Sequence, residues 1–296
     1  MVSSASELDN ITDVAGNNTS RNLRSLKSSS VRFASFLGDN AFEFYRQIVG
    51  YLGEVTGITT ELVSSIPATE QDQMVDSGEI QAVFTCGLPY VRKADCTPPL
   101  LSLLAAPVML GARYCDKPVY YSDVIVRADS PYQTFEDLRN TTFAYNEVYS
   151  LSGYMLPCYH ILTLGEAGRF FAKTVRSGSH AMSMEWVEEG RAVAAAIDSV
   201  VLEMEIAQHP ERAWSLRVIE NMGPTTMPPV AASNGLPDNL NEPMRQALLS
   251  MHTTEQGRAI LRQGGVRRCA PISDADYDPI RHLLQALQEA GVTELQ

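Results

Sequence analysis

TTFAYNEVYSLSGY, residues 141–154, is the stretch on which the reading of this chain turns. Thr141–Tyr145 is β-branched and aromatic, which predicts a strand. Asn146–Ser150 is polar turn material, and from Ser152 onward Met155, Leu156, Tyr159 and Leu162 recur at helical spacing. A strand that hands a Ser-Leu-Ser-Gly turn to a helix leaves free backbone N–H groups beside two hydroxyls. The helix dipole favours negative charge at that end, so the turn is a place to hold a small anion. The same pattern also fits a plain helix cap, because serine is a leading N-cap residue.

Upstream, residues 31–37 (VRFASFL) predict a strand, followed by the turn Gly38-Asp39-Asn40. Phe42, Tyr45, Ile48, Val49, Leu52 and Val55 then form one helical stripe that Gly57 ends. A strand over Thr59–Val63, a polar helix over Ala68–Ser77 stopped by Gly78, and a strand over Ile80–Thr85 complete a β-α-β-α-β series. Such a series implies a parallel or mostly parallel sheet, which binds ligands beyond the carboxyl ends of its strands. Two turns therefore matter in this half, Gly38–Asn40 and Cys86-Gly87-Leu88-Pro89-Tyr90. The longest apolar run, Leu100–Leu110, is broken by Ser102 and Pro107 and reads as a buried strand.

Residues 119–127 predict another strand and Thr134–Leu138 a short capped helix. Beyond the opening stretch, a strand over Thr174–Arg176 leads to Ser177-Gly178-Ser179-His180 and a helix over Ala181–Glu189. A buried strand over Ala192–Ile197 ends in Asp198, and a helix over Ser199–Gln208 follows. Then come a strand over Ser215–Glu220, a proline-rich turn over Pro224–Pro229, and helices near Asn239–Met251, Thr254–Gln263 and Tyr277–Ala290.

At 296 residues the chain exceeds the usual single-domain size, and two lobes are the natural expectation. With 45% hydrophobic and 20% charged residues its composition is that of an ordinary globular protein. A net charge of −12 argues against a nucleic-acid or anionic-membrane surface, though not against one local anion site. No run approaches the ~18 apolar residues of a membrane span. Residues 1–30 carry no apolar segment of the secretory kind and read as a flexible leader. The five cysteines are widely spaced without a Cys-x-x-Cys pair, so no metal or other cofactor is expected. Their odd number suits a reducing compartment, with Cys96 and Cys115 open to pairing.

Three runs carry a resemblance: GEIQAVFTCGLPYV (Gly78–Val91), the segment Tyr120–Tyr154, and SGSHAMSMEWVEEGRAVAAAIDS (Ser177–Ser199). Over about residues 31–265 the chain resembles the PhnD-like family, the substrate-binding proteins of phosphonate, phosphite and phosphate ABC transporters. The resemblance implies an α/β, two-lobed type II periplasmic binding protein fold with two crossover strands and an inter-lobe cleft. Lobe one would comprise residues 31–117 and 225–296, and lobe two residues 118–224. It further implies a monomeric solute-binding protein, not an enzyme, that captures a small anionic ligand by lobe closure and delivers it to an ABC transporter permease, with no nucleic-acid partner. A periplasmic or cell-surface location follows from the family, while the absence of a visible signal leaves a cytoplasmic one open.

Carried over residue by residue, Ser150, Leu151, Ser152 and Gly153 match the family's oxyanion-gripping Ser-Thr-Ser-Gly turn. Leu151 replaces the threonine and removes one hydroxyl donor, and Tyr149 stands where a small polar residue is commoner. These departures leave room for a more apolar ligand or an anion held by fewer donors. His180 matches a ligand-contacting histidine, Asp198 an acceptor for a protonated oxygen or an amine, and Tyr90 an aromatic that donates its hydroxyl. Tyr121 and Tyr45 are weaker matches, Tyr45 lying on an apolar stripe that suits the core. Taken without the family, His180 is a helix-start residue and Asp198 an N-cap. Two rival readings stay open: a cytosolic enzyme resembling menaquinone-pathway lyases, with His180 and Asp198 its one candidate dyad, and a ligand sensor that docks on a partner other than a permease.

Overall fold

The fold turns on two sheets, seen in a computed structural model that describes residues 30–166, 169–292 and 294–295. The leader expected over residues 1–30 lies, Ser30 aside, outside the described residues. Strand β1 (Ser30–Ser35) is followed by helix α1 (Phe42–Thr56), β2 (Thr59–Leu62), α2 (Ala68–Asp76) and β3 (Ala82–Phe84). Helix α1 buries Phe44, Ile48, Val49, Tyr51 and Leu52 along one face. It stops at Gly57, whose φ of +70° is the left-handed conformation glycine adopts without steric cost. Next come α3 (Gly87–Ala94) and β4 (Leu101–Met109), the buried strand expected of the Leu100–Leu110 run.

The second half starts with β5 (Val119–Arg127) and β6 (Thr142–Tyr145), then a π-helical turn (Leu151–Met155) running into α4 (Leu156–Thr163). After β7 (Lys173–Arg176) come α5 (His180–Glu188), β8 (Ala194–Asp198), α6 (Ser199–Gln208), the short α7 (Arg212–Ser215) and β9 (Leu216–Thr226). The chain then returns through β10 (Val230–Ser233), α8 (Asp238–Ser250), α9 (Glu255–Gln263), β11 (Val266–Ala270) and α10 (Asp278–Glu289).

Six strands in the order β11-β4-β10-β3-β1-β2 make one sheet, and five in the order β7-β6-β8-β5-β9 make the other. The β1–β2 and β1–β3 pairs are parallel, whereas β10 and β11 run antiparallel to their neighbours. The first sheet is therefore mixed. The chain passes between the sheets twice, over residues 110–118 and 227–229. The two passages lie side by side, since the Met227 N–H donates to the Pro118 carbonyl at 2.9 Å. We call the half built on the six-stranded sheet lobe one and the other lobe two.

Alternation places the core. Along β5, Val124 and Val126 join an apolar cluster that runs through both lobes, and Ile125 between them joins a smaller one on the opposite face. Central β8 is buried at every residue, as a strand covered on both faces must be.

The structure departs from the sequence reading in three places. The turn expected at Cys86–Tyr90 is the first turn of α3; Pro89 is tolerated there because the N–H it lacks has no intrahelical partner in any case. The first half of the proline-rich turn expected over Pro224–Pro229 is strand, because β9 pairs with β5 through Thr226, and only residues 227–229 are irregular. No local pattern marks β10 and β11: both are short, and it is pairing within the sheet that makes them strands. All five cysteines are free thiols, Cys96 and Cys115 included.

Candidate functional site

Strands β6, β7 and β8 are mutually parallel, so their carboxyl ends open on one edge of the second sheet. That edge delivers Asn146 after β6, Ser179 and His180 after β7, and Asp198 at the end of β8. From lobe one, β1 and β3 are likewise parallel, and their ends deliver Asn40 and Cys86. The lobes touch here: the Gln208 side chain on α6 donates to the Asn40 carbonyl at 3.4 Å. At the rim, the Arg92 guanidinium of α3 lies over the Tyr149 ring, 5.1 Å from its centre.

The turn after β6 is wider than an α-helical one for a local reason. Pro157 has no N–H to give the Gly153 carbonyl, and the Leu156 N–H reaches back to Leu151 instead of Ser152. The Ser152 carbonyl, left free by this shift, accepts from Ser122 Oγ on β5 at 2.7 Å. Ser150 is the cap, its Oγ accepting from the Gly153 N–H at 2.9 Å. Gly153 is required because Asn146 folds over it: a Cβ there would stand 2.0 Å from Asn146 Oδ1. Leu151 is fully buried, with Cδ2 3.8 Å from where a Cβ on Gly87 of lobe one would sit.

His180 opens α5 behind the Ser179 cap. Its Nε2 lies 3.2 Å from Asn146 Nδ2 and 3.3 Å from Ser152 Oγ. An amide nitrogen only donates, so Nε2 accepts and the ring proton sits on Nδ1, which is buried. Burial holds the imidazole down to about 4, against a slight upward pull from the Ala196 backbone. It is neutral at pH 7.

Asp198 caps α6, Oδ1 accepting from the Val200 N–H at 2.8 Å and the Val201 N–H at 3.4 Å. Burial pushes its carboxyl up to about 7 despite those donors, helped by the charges of Asp123 and Glu203. The two shifts have opposite consequences for stability. Neutral His180 binds fewer protons folded than unfolded, and so contributes stability that rises with pH between about 4 and 6.5. Asp198 keeps its proton folded when the unfolded chain has lost it, and so contributes stability that falls as pH rises from about 4 to about 7. Asp198→Asn keeps a capping side chain. It should therefore gain stability relative to the wild type as pH rises across that window, read as urea midpoints at pH 4.5, 5.5 and 6.5. A difference independent of pH would show that Asp198 ionises in the folded protein as it does in water.

Three side chains that the sequence reading passed over join the cluster. Tyr120 is fully buried on the face of β5 that also carries Ser122, and its hydroxyl lies 4.0 Å from Cys86 Sγ. Burial raises the Cys86 thiol, while the backbone N–H groups of Leu151 and Leu88 pull it back. Asn146 holds His180 as described above. The period-two pattern of 119–127 allowed the choice of Tyr120 over Tyr121, but parity alone does not say which face turns toward the cleft.

Of the other candidates, Tyr121 points away, its hydroxyl donating to the Arg113 carbonyl at 3.1 Å. Tyr90 is also committed elsewhere: its hydroxyl donates to Asp274 at 2.7 Å within lobe one and does not reach the cluster. Tyr45 packs its ring 4.5 Å from that of Phe84, and its phenol is pushed up by burial and then by the Asp198 charge. Ser152, His180 and Asp198 are thus brought to one cleft edge by lobe two, facing Cys86 and Tyr45 of lobe one. None of the side chains in this group is Lys or Arg, so negative charge would be met by dipoles and hydrogen bonds. Among the described residues no group of three His, Cys, Asp or Glu could hold a metal ion, and no helix is long and apolar enough to cross a membrane.

A family model described as the periplasmic substrate-binding protein of phosphonate ABC transporters matches residues 33–277. Among solved structures, the chain is similar to a binding-protein component of an ABC phosphonate transporter from Pseudomonas aeruginosa, with 18% identity, 89% of this chain and 88% of that chain covered, and a TM-score of 0.78. It is also similar to PhnD1 from Prochlorococcus marinus (MIT 9301) in complex with methylphosphonate, with 16% identity, coverage of 88% and 99%, and a TM-score of 0.75. A Xanthomonas citri protein bound to chloride ion gives 19% identity, coverage of 89% and 99%, and a TM-score of 0.67. Likeness at these identities carries the two-lobed type II periplasmic binding protein fold and not the ligand. The match over residues 33–277 carries the family, one of solute-binding proteins and not of enzymes: this chain belongs to the phosphonate-binding periplasmic substrate-binding proteins of ABC transporters.

Proposed function

We propose that this protein holds a small phosphonate-type oxyanion between its lobes in the periplasm and, as a monomer, presents it to an ABC permease. The hinge division would be residues 31–117 with 225–296 against 118–224. The observation that supports this reading most is the meeting of Ser152, His180 and Asn146 at the carboxyl edge of the second sheet, beside Tyr120 of the same lobe and opposite Cys86 of lobe one. In it, Ser152 supplies the donors to the anion: its backbone N–H, and its hydroxyl once that proton turns from His180 Nε2 to the ligand. Asp198, poised near neutrality, accepts from a ligand oxygen that keeps its proton or from an amine. Tyr45 and Tyr120 line the same space with hydroxyls. Closure removes water, so each donor counts for more than it would in an open cleft.

Titration calorimetry with methylphosphonate, phosphite, phosphate, sulfate and acetate tests the reading. A phosphonate should bind most tightly, and at 100 times its Kd should stabilise the fold by about 2.7 kcal/mol. Ser152→Ala should weaken that binding by about ten- to a hundredfold, the worth of one hydrogen bond to a charged group. No heat with any of these anions, or unchanged affinity in Ser152→Ala, would sink the proposal.

A further inference from the structure

Leu151 sits in the middle of the turn just assigned to the ligand, yet its side chain is wholly buried and turned toward lobe one. Over the Cα of Gly87, at the start of α3, three side chains converge: Ile280 Cδ1, Tyr277 Cε1 and Leu151 Cδ2 stand 2.6, 3.7 and 3.8 Å from where a Cβ would be. Ile280 and Tyr277 belong to the α10 region of lobe one and are themselves fully buried, so they form a socket whose floor is open only because residue 87 is glycine. Leu151, carried by the turn of lobe two, is the knob in that socket. Beside it is Cys86, whose thiol lies on the seam between its own lobe and Tyr120 of β5.

We infer that Leu151 is a closure residue: its side chain fastens lobe two to lobe one, and so sets how readily the cleft opens, without touching the ligand. The physical driver is apolar burial, which needs no ligand and falls off steeply once the knob leaves the socket. Leu151 thus governs the open–closed balance, and through it the apparent affinity for whatever the cleft binds.

The Cys86 thiol reports the opening. In a Cys96→Ser, Cys115→Ser background, which removes the two exposed thiols, methyl methanethiosulfonate labels the half-buried Cys86 faster when the lobes part. Leu151→Ala should speed labelling of Cys86 about tenfold, a loss of about 1.4 kcal/mol of closure. Cys269, buried within the lobe-one sheet, should label no faster, which separates lobe opening from unfolding. Should Leu151→Ala expose Cys269 as well, Leu151→Val shortens the knob with a smaller loss of packing and is read in the same way. A Cys86 rate within twofold of the wild type in the folded variant overturns the inference. Methylphosphonate added to the same reaction tests the ligand reading separately. If the variant speeds labelling but the anion protects neither protein, Leu151 keeps its role and the oxyanion proposal falls.

Discussion

Gly153→Ala should lower the affinity for methylphosphonate by about a hundredfold while leaving the protein folded. The backbone at residue 153 is not in the left-handed region, so alanine is conformationally acceptable there and raises helix propensity. The damage is one of space. The new methyl would stand 2.0 Å from Asn146 Oδ1, 2.9 Å from Asn146 Cγ and 3.2 Å from His180 Cε1. Asn146 must swing away, which ends its contact with His180 Nε2 and frees the ring to leave Ser152 Oγ. Losing the orientation of two polar groups at about 1.5 kcal/mol or more each amounts to the two powers of ten predicted. A cycle with Asn146→Ala makes the cause testable. If crowding of Asn146 is the mechanism, the double variant binds no worse than Asn146→Ala alone, because the methyl then has room. Additive losses, or Gly153→Ala binding within threefold of the wild type, would reject this account.

The second large effect concerns stability. Asp123 on β5 is buried, with 1% of its side chain exposed, and takes both Arg113 nitrogens at 2.8 and 2.7 Å and Asn221 Nδ2 at 2.7 Å. Arg113 sits in the first passage between the sheets, stacked 4.5 Å from the centre of the Tyr121 ring, with Tyr121 donating back to the Arg113 carbonyl. Arg113→Met keeps the packing and strands the carboxylate. Removing one partner of a buried pair costs about 3 kcal/mol, the lower end of the range because Arg113 is one-third exposed. For a protein of this size that is a fall in Tm of about 6–12 °C, measurable by calorimetry. Arg113→Met with Asp123→Asn should regain most of the loss, since no charge is then left without a partner. A single variant melting within about 1 °C of the wild type would mean that water reaches Asp123 and that the pair counts for little.

Much of this protein is written locally. The Phe42–Val55 stripe with Gly57 behind it, the strand at 119–127, and Asp198 between a buried strand and a helix are each set by residues a few positions apart. Such features survive in any context that offers an apolar surface to pack on. The turn at Ser150–Gly153 belongs with them: its serines, glycine and following helix marked it before any contact was known. What the residues could not convey was direction. Leu151 reads as one member of an anion-gripping turn, yet its side chain serves a socket made by Gly87, Tyr277 and Ile280, far away in the chain. Tyr90 offers a hydroxyl just beyond the carboxyl end of β3, and Asp274 takes it. Cys86 and Tyr120 look unremarkable until β3 and β5 bring them to one seam.

From sequence alone came the element order, the two-lobed α/β plan, the family resemblance, and Ser152, His180 and Asp198 as the residues to watch, because periodicity, capping and turn chemistry act over short spans of chain. Tertiary structure alone decided that Asn146 holds His180, that Tyr120 and not Tyr121 faces the cleft, and that Leu151 points to the other lobe. Each of these depends on which strand face or helix end meets a partner at long sequence separation, and such meetings are settled by packing and not by any local pattern.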